Sequence, residues 1–232
     1  KFRYLDVYTY NFVPKKQKIK DMKTSMILNV VLAIALVFLC YMLAVNGNDK
    51  GKEQDSSEVV LNTILKRTSI RSYENKTVEK KKIEKLLRAG MAAPTAMNKQ
   101  PWHFVVVTDK GQLQKLSEAN PYAAMAAKAP LAIVVCGDMN KAAEGNAREF
   151  WIQDCSAATE NILLAATGMG LGAVWTDIYP SKERCTDVAK VLGLSESLIP
   201  QNTIVIGYPD ADVSPKDKWN TENISYNTYG EE

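Results

Sequence analysis

Arg67-Thr-Ser-Ile-Arg71 places two guanidinium groups on either side of two hydroxyls within one short segment. A guanidinium can donate to two phosphate oxygens at once, and a serine or threonine hydroxyl adds a short neutral donor without crowding the anion. The pattern therefore indicates a phosphate-binding segment. A cluster of charges on a solvated helix end is the alternative interpretation of these residues alone, because such surface clusters are common and weak.

The residues before this segment predict a helix and, ahead of it, a flexible tether. Apolar residues at helical spacing, including Val60 and Ile64, predict a helix over 59–66, so Arg67–Arg71 follows a helix end. Residues 46–58 carry no apolar side chain and are rich in glycine and charge, which is typical of a tether. The sequence thus predicts one folded domain over 59–232.

The N-terminal part predicts a membrane anchor. Residues 26–45 are apolar at all but two positions, and about 20 such residues can cross a bilayer as one helix. We therefore predict a transmembrane or signal helix over 26–45 after a basic leader over 1–25. Met22-Lys23 resembles a natural start, which leaves open whether residues 1–21 are native or an extension.

The charges around the apolar run predict its orientation. Lysines are concentrated before residue 26, and the positive-inside rule then places the N-terminus in the cytoplasm. The prediction is a membrane-anchored protein with a single span and its folded domain on the non-cytoplasmic side. Cleavage after the apolar run, which would give an exported form, is left open.

Composition argues against two classes of function. The formal net charge of +3 over 232 residues is small, so no nucleic-acid partner is predicted. The four cysteines lack paired short spacings, and with a single histidine they do not resemble a zinc or iron–sulfur ligand set, so no metal site is predicted. That histidine, His103, falls inside a predicted strand and is interpreted as structural.

Helical and strand-like patterns continue through the domain. Helical spacing of apolar residues predicts helices over 78–92 and 148–167. Continuous apolar runs, typical of strands buried on both faces, stand at 104–107, 131–135 and 203–206. Gly168-Met-Gly-Leu-Gly172 follows the second helix and is interpreted as its C-terminal cap, because the glycines of a nucleotide-binding turn precede a helix.

Four segments together carry a family resemblance. They are Arg67–Arg71, Ala93-Pro-Thr-Ala-Met-Asn-Lys-Gln-Pro-Trp102, Gly170-Leu-Gly-Ala-Val-Trp-Thr-Asp177, and Gly207-Tyr-Pro209 with Pro215-Lys-Asp-Lys218. In order and spacing they resemble the FMN-dependent nitroreductase family over about residues 59–229. The resemblance implies an α+β fold with a mixed central sheet flanked by helices. It also implies a homodimer with FMN at the subunit interface.

The resemblance assigns one group of residues to the FMN phosphate and ribityl chain. Arg67 and Ser69 would hold the phosphate, with Thr68 beside them and with Lys216 and Lys218 closing over it. Arg71 would reach the ribityl and N1/O2 side of the ring, where a cation stabilises the charge of the reduced flavin. Many relatives have arginine at the position of Lys218, and lysine lacks the bidentate fork, which predicts a looser grip here.

A second group would contact the flavin ring. The resemblance places Pro94, Thr95, Ala96 and Asn98 against the ring from the other subunit, where small side chains leave room for it. Thr95 replaces the commoner serine. Val174, Trp175 and Thr176 would line the opposite edge, with the main chain or hydroxyl of Thr176 near N5. Trp102 is interpreted as a core residue rather than a cofactor contact.

The implied function is that of an FMN-dependent oxidoreductase. It would transfer hydride from NAD(P)H to an acceptor such as a nitroaromatic or quinone by ping-pong chemistry, with no side chain required as an acid or base. The alternative is a membrane-anchored flavin-binding electron-transfer module that NAD(P)H does not reduce. The predicted topology motivates this alternative, because it places the domain on the side that lacks pyridine nucleotides.

Overall fold

The computed structural model describes residues 15–48 and 56–230, and the chain divides into two units, Lys1–Ser56 and Ser57–Glu232. In the described part of the first unit, one helix, α1, spans Lys15–Asn48. No helix in the described ranges has both the length and the apolar character that a membrane span needs. The predicted transmembrane helix over 26–45 therefore has no support from the structure.

The predicted leader and tether are only partly described. Residues 1–14 of the leader and 49–55 of the tether lie outside the described residues. Residues 46–48, assigned to the tether from sequence, belong to the end of α1. Helix α2 spans Ser56–Lys66, so it begins three residues before the predicted start at 59.

The second unit is built on a four-stranded sheet in the order β1-β2-β4-β3. The strands are β1 (Trp102–Val107), β2 (Leu131–Asp138), β3 (Gly172–Asp177) and β4 (Leu198–Gly207). The three predicted strands are confirmed as parts of β1, β2 and β4, and each extends beyond its apolar run. The two central strands, β2 and β4, are buried along most of their length.

The prediction of a mixed sheet is wrong. All three neighbouring strand pairs are antiparallel. In the described part of the chain, parallel pairing is restricted to an isolated bridge between Ser69 and Ala173 at the edge of β3. Runs buried on both faces are typical of parallel sheets, but here helices cover both faces of an antiparallel sheet and produce the same burial.

Four further helices flank the sheet: α3 (Lys80–Met91), α4 (Lys110–Ala119), α5 (Phe150–Gly168) and α6 (Lys182–Leu192). Helices α3 and α5 confirm the two helices predicted from periodicity. They pack on one face of the sheet, where Leu86 and Ile162 are fully buried with Ile204. Helices α4 and α6 cover the other face, where Leu113 and Val188 join a second core cluster.

Glycines end α5 and shape the turn into β3. The Leu171 N–H donates to the Ala166 carbonyl at 2.8 Å, and Gly170 has a φ of 70°. This geometry satisfies the last carbonyls of the helix, since a left-handed glycine lets the chain reverse. The C-terminal cap interpretation of Gly168–Gly172 is confirmed.

The tryptophan, cysteine and histidine side chains interpreted from sequence differ in burial. Trp102 is buried in the core, as predicted. Cys136 and Cys155 are buried, and burial raises the pKa of the Cys136 thiol to about 12. Cys40 is exposed on α1, although its place in an apolar run favours a buried side chain, and His103 is exposed on β1.

Candidate functional site

A cationic groove of about 800 Å³ brings together residues that are far apart in sequence. Arg67 at the end of α2 faces Lys216 and Lys218 from the C-terminal segment. The remaining lining residues are Ile64, Leu65, Glu160, Pro215, Asp217 and Trp219. Of the predicted phosphate ligands, the structure thus places Arg67, Lys216 and Lys218 around one space.

Arg67 is held in this groove by a carboxylate that sequence reasoning missed. Its side chain is 19% exposed, and its Nε lies 3.7 Å from Oε1 of Glu160 on α5. This distance is an ion-pair contact, longer than a hydrogen bond. Nothing in the local sequence around Glu160 distinguishes it from an ordinary polar position on a helix.

The Arg67–Arg71 segment is fastened to the edge of β3. The Ile70 N–H donates to the Ala173 carbonyl at 3.1 Å. The hydroxyl of Tyr73 lies 2.5 Å from the Ile70 carbonyl oxygen and 3.0 Å from that of Val205, so its single O–H is shared between two acceptors. Burial raises the pKa of the Tyr73 phenol well above its usual range, although the positive charge of Arg71 opposes this, so the phenol remains a donor at neutral pH.

The side chains of this segment differ in exposure. Thr68 and Ser69 are half-buried, and Ser69 is the residue bridged to Ala173. Arg71 is exposed and is not part of the groove lining. A single chain therefore places Arg67 in the groove, while the predicted contact of Arg71 with the flavin ring stays a prediction.

The C-terminal segment is tied to the residues that follow Arg71. The Glu74 N–H donates to the Tyr208 carbonyl at 2.8 Å, and the Ser72 hydroxyl donates to Asp210 Oδ2 at 2.5 Å. Tyr73 also forms an isolated bridge with Pro209. These contacts hold residues 208–210, at the start of the segment that carries Lys216 and Lys218, against residues 72–74.

The predicted ring segment lies in a different place. Pro94, Thr95 and Ala96 line a cavity of about 350 Å³ together with Phe150, Gln153, Asp154 and Ala157 of α5. This cavity shares no lining residue with the cationic groove. Within one chain, the two predicted halves of the site do not share a cavity.

Asp154 is the buried acid of this second cavity and was not predicted from sequence. Its carboxylate accepts the Ala96 N–H at 2.9 Å, across two segments of the chain. Burial raises the pKa of Asp154, and the hydrogen bond from Ala96 acts in the opposite direction.

The three predicted flavin-contact residues of β3 differ in burial and in the hydrogen bonds of their side chains. Val174 is buried, and the half-buried Trp175 donates from its indole Nε1 to Asp177 Oδ1 at 2.6 Å. Thr176 is buried, and its hydroxyl donates to the Thr203 carbonyl at 2.9 Å. The hydroxyl that was predicted near N5 is therefore engaged inside the sheet.

The main chain of β3 offers other donors at its open edge. The carbonyls of Ala173 and Asp177 bond to Ile70 and Asn120, so both point away from β4. Because main-chain groups alternate in direction along a strand, the N–H groups of Trp175 and Asp177 point to the same side. Asp177, which ends the strand, could have been noticed in the sequence as a polar residue directly after an apolar run.

Comparison with known proteins identifies the family of the chain. The model of the nitroreductase family matches residues 64–121 and 117–208, which is more than half of the chain. The chain belongs to the nitroreductase family. The match includes Arg67–Arg71, the 94–98 segment and the whole four-stranded sheet, and it ends ahead of Lys216 and Lys218.

Individual relatives cover the same part of the chain. A Methanothermobacter thermautotrophicus protein, provisionally named NADH dehydrogenase/NAD(P)H nitroreductase, is 41% identical over 71% of this chain and 85% of its own length. A crystal structure from Parabacteroides distasonis with the same provisional name is 48% identical, covers 73% of this chain and 98% of that one, and has a TM-score of 0.69. An FMN-dependent nitroreductase from Clostridium difficile is 29% identical, covers 73% and 99% of the two chains, and has a TM-score of 0.67.

Proposed function

We propose that this nitroreductase-family chain is an FMN-dependent oxidoreductase that uses NAD(P)H to reduce a small acceptor such as a nitroaromatic or a quinone. The observation that carries the proposal is the convergence of Arg67, Lys216 and Lys218 on one groove. The names of relatives point the same way, since they include an FMN-dependent nitroreductase and an NAD(P)H-dependent FMN reductase.

The groove suits a phosphomonoester in charge and in shape. Three cations would face the dianion, and two carboxylates in the lining, Glu160 and Asp217, balance part of their charge; Glu160 also orients Arg67. Gly172 keeps the adjacent edge of β3 free of side chain, since a Cβ there would lie 2.7 Å from Ile70. The segment with Thr68 and Ser69 can therefore lie close against the strand.

When bound, FMN would supply the two-electron redox chemistry that links NAD(P)H to the acceptor, with the two substrates used in turn. The residues of this chain position that chemistry rather than take part in it as acids or bases. Arg67, Lys216 and Lys218 hold the phosphate end. The N–H groups at the open edge of β3 face the ring, and the 94–98 segment covers it.

The complete site requires a second copy of the chain. In one chain the cationic groove and the cavity lined by Pro94, Thr95 and Ala96 share no lining residue, so the ring segment for each groove comes from the partner subunit in this proposal. The apolar face predicted for α2 is exposed, with Val60, Ile64 and Leu65 open to solvent. Tyr226 and Tyr229 near the C-terminus are exposed as well, and large exposed apolar groups are typical of protein interfaces.

One observation keeps an electron-transfer module that NAD(P)H does not reduce as a second candidate. The described side chains of α1 over 26–42 are exposed, and most are large and apolar. Large exposed apolar side chains are typical of surfaces that a partner protein covers, and in this second candidate such a partner supplies the electrons in place of NAD(P)H. A reporter fused after Glu232 would show on which side of a membrane, if any, the domain lies.

Anaerobic reduction of the purified full-length protein tests both candidates. The enzyme should be yellow with one FMN per subunit, and NADH or NADPH should bleach the flavin rapidly. Stoichiometric flavin that neither nucleotide bleaches would favour the electron-transfer module. A colourless protein that cannot be reconstituted with FMN would overturn both.

A further inference from the structure

The segment after Pro94 has an unusual backbone. Met97, Asn98 and Gln100 have φ angles of 52°, 52° and 49°, which lie in the left-handed region. Residues with a Cβ rarely adopt this region, and each such residue costs free energy unless its surroundings hold it there. Three of them within four positions mark a segment whose shape is imposed by other parts of the fold.

Two polar side chains hold this segment in place by accepting hydrogen bonds from its main chain. Asp154 Oδ1 accepts the Ala96 N–H at 2.9 Å, and Thr95 Oγ1 accepts the Gln100 N–H at 3.1 Å. The first bond links the segment to α5, which is packed against the sheet. The second closes the segment on itself. Asn98 and Gln100 are also joined, Oδ1 to Nε2, at 2.9 Å.

The carboxylate of Asp154 is costly unless it has a positioning role. It is only 6% exposed, and burying an ionisable group without full compensation is unfavourable. Asp154 does not cap its own helix through this bond, because the N–H that donates to its carboxylate belongs to Ala96, outside α5. Its neighbours Trp151, Cys155 and Ala158 are core residues, so an apolar side chain would also be accommodated on this face.

We propose that Asp154 is a positioning residue of the flavin site: its carboxylate fixes the Ala96 N–H and thereby holds residues 95–100 in the shape that contacts the ring. The inference rests on the proposed FMN function, and it adds a residue that acts on the site through the Ala96 N–H. Thr95 has the same role at the other end of the segment. Loss of either acceptor would loosen the segment and weaken FMN binding without removing any phosphate ligand.

The test compares Asp154→Ala and Asp154→Asn with Asp109→Ala as a matched control. Asp109 also accepts a main-chain N–H, from Gln112 at 2.9 Å, but it does so at the start of α4. The readouts are FMN affinity of the full-length apoprotein and hydrogen exchange of the amides at 96–100. Thr95→Val serves as a second variant in case Asp154→Ala does not fold.

We expect Asp154→Ala and Thr95→Val to raise the Kd for FMN about tenfold or more and to speed exchange at 96–100. Asp154→Asn should stay within about threefold of wild type, because its amide oxygen can still accept the Ala96 N–H. Asp109→Ala should change neither readout. Unchanged exchange in Asp154→Ala, or an Asn variant as weak as the Ala variant, would overturn the inference. Wild-type protein that binds no FMN would instead overturn the proposed function, and the exchange measurement does not depend on it.

Discussion

Arg67 is a cation that the fold leaves with incomplete compensation. Its side chain is mostly buried, which costs hydration, and Glu160 at 3.7 Å compensates only through a long ion pair. Lys216 and Lys218 on the same groove add like charge. A phosphate group would relieve this repulsion and would satisfy the guanidinium with short charge-assisted bonds.

The residue-scale prediction is that Arg67→Ala weakens FMN binding. The expected loss is about 1.5–3 kcal/mol, the usual contribution of a charged hydrogen bond, or roughly a tenfold to a hundredfold increase in Kd. Fluorescence titration of apoprotein with FMN measures it. Arg88→Ala is the control, because Arg88 pairs with Glu84 on the exposed surface of α3 and should leave Kd unchanged. Equal affinity of Arg67→Ala and wild type would mean that the phosphate binds elsewhere.

At the scale of elements, the junction between the Arg67–Arg71 segment and β3 determines the site. The segment adds one parallel bridge and one main-chain hydrogen bond to an edge strand of an otherwise antiparallel sheet. That close approach depends on Gly172, whose added Cβ would lie 2.7 Å from the Cβ of Ile70. Ile70 is β-branched and buried, so it has little freedom to move away.

We therefore predict that Gly172→Ala destabilises the domain and displaces the phosphate segment. Overpacking of this kind typically costs about 1–3 kcal/mol. Thermal unfolding should show a lower Tm, and the Kd for FMN should rise. Gly168→Ala is the matched control, since its added Cβ would meet nothing closer than 3.8 Å and the change should be nearly neutral. A Gly172→Ala protein with wild-type Tm and Kd would show that the segment does not need this contact.

At the scale of the whole molecule, one chain exposes surfaces that a monomer would not be expected to leave open. The apolar face of α2 and the tyrosines near the C-terminus are accessible to solvent. The cavity lined by Pro94, Thr95 and Ala96 shares no lining residue with the cationic groove of the same chain. A homodimer accounts for both facts, because it would cover these surfaces and join a groove of one subunit to a ring segment of the other.

Replacement of Tyr226 and Tyr229 by alanine tests this arrangement. Tyr226 is 65% exposed and Tyr229 fully exposed, and neither lines the cationic groove. A buried aromatic anchor commonly contributes about 2 kcal/mol or more to an interface, so loss of both tyrosines should raise the dissociation concentration by at least about thirtyfold. Sedimentation velocity over a dilution series measures this. Tyr122→Ala, at a similarly exposed position (66%), should leave the dimer intact. A wild-type protein that is monomeric at micromolar concentration would contradict the proposed assembly.

Local pattern was enough to locate most of the helices and strands. Periodicity placed α3 and α5 to within two residues, and apolar runs located β1, β2 and β4, because these signals depend on neighbours in sequence. Strand direction could not be inferred from the same runs, since helices on both faces bury antiparallel and parallel strands alike.

The side-chain roles depended on contacts between distant segments. Glu160 and Asp154 look like ordinary polar positions of α5 in the sequence, and Thr176 looks like a free hydroxyl. In the folded chain, Glu160 forms an ion pair with Arg67, and Asp154 accepts a hydrogen bond from the Ala96 N–H. The Thr176 hydroxyl donates to the Thr203 carbonyl. Residue type and spacing establish which chemistry is available. Which partner each polar group meets is a property of three-dimensional packing, because burial requires the nearest complementary group wherever it lies in the chain.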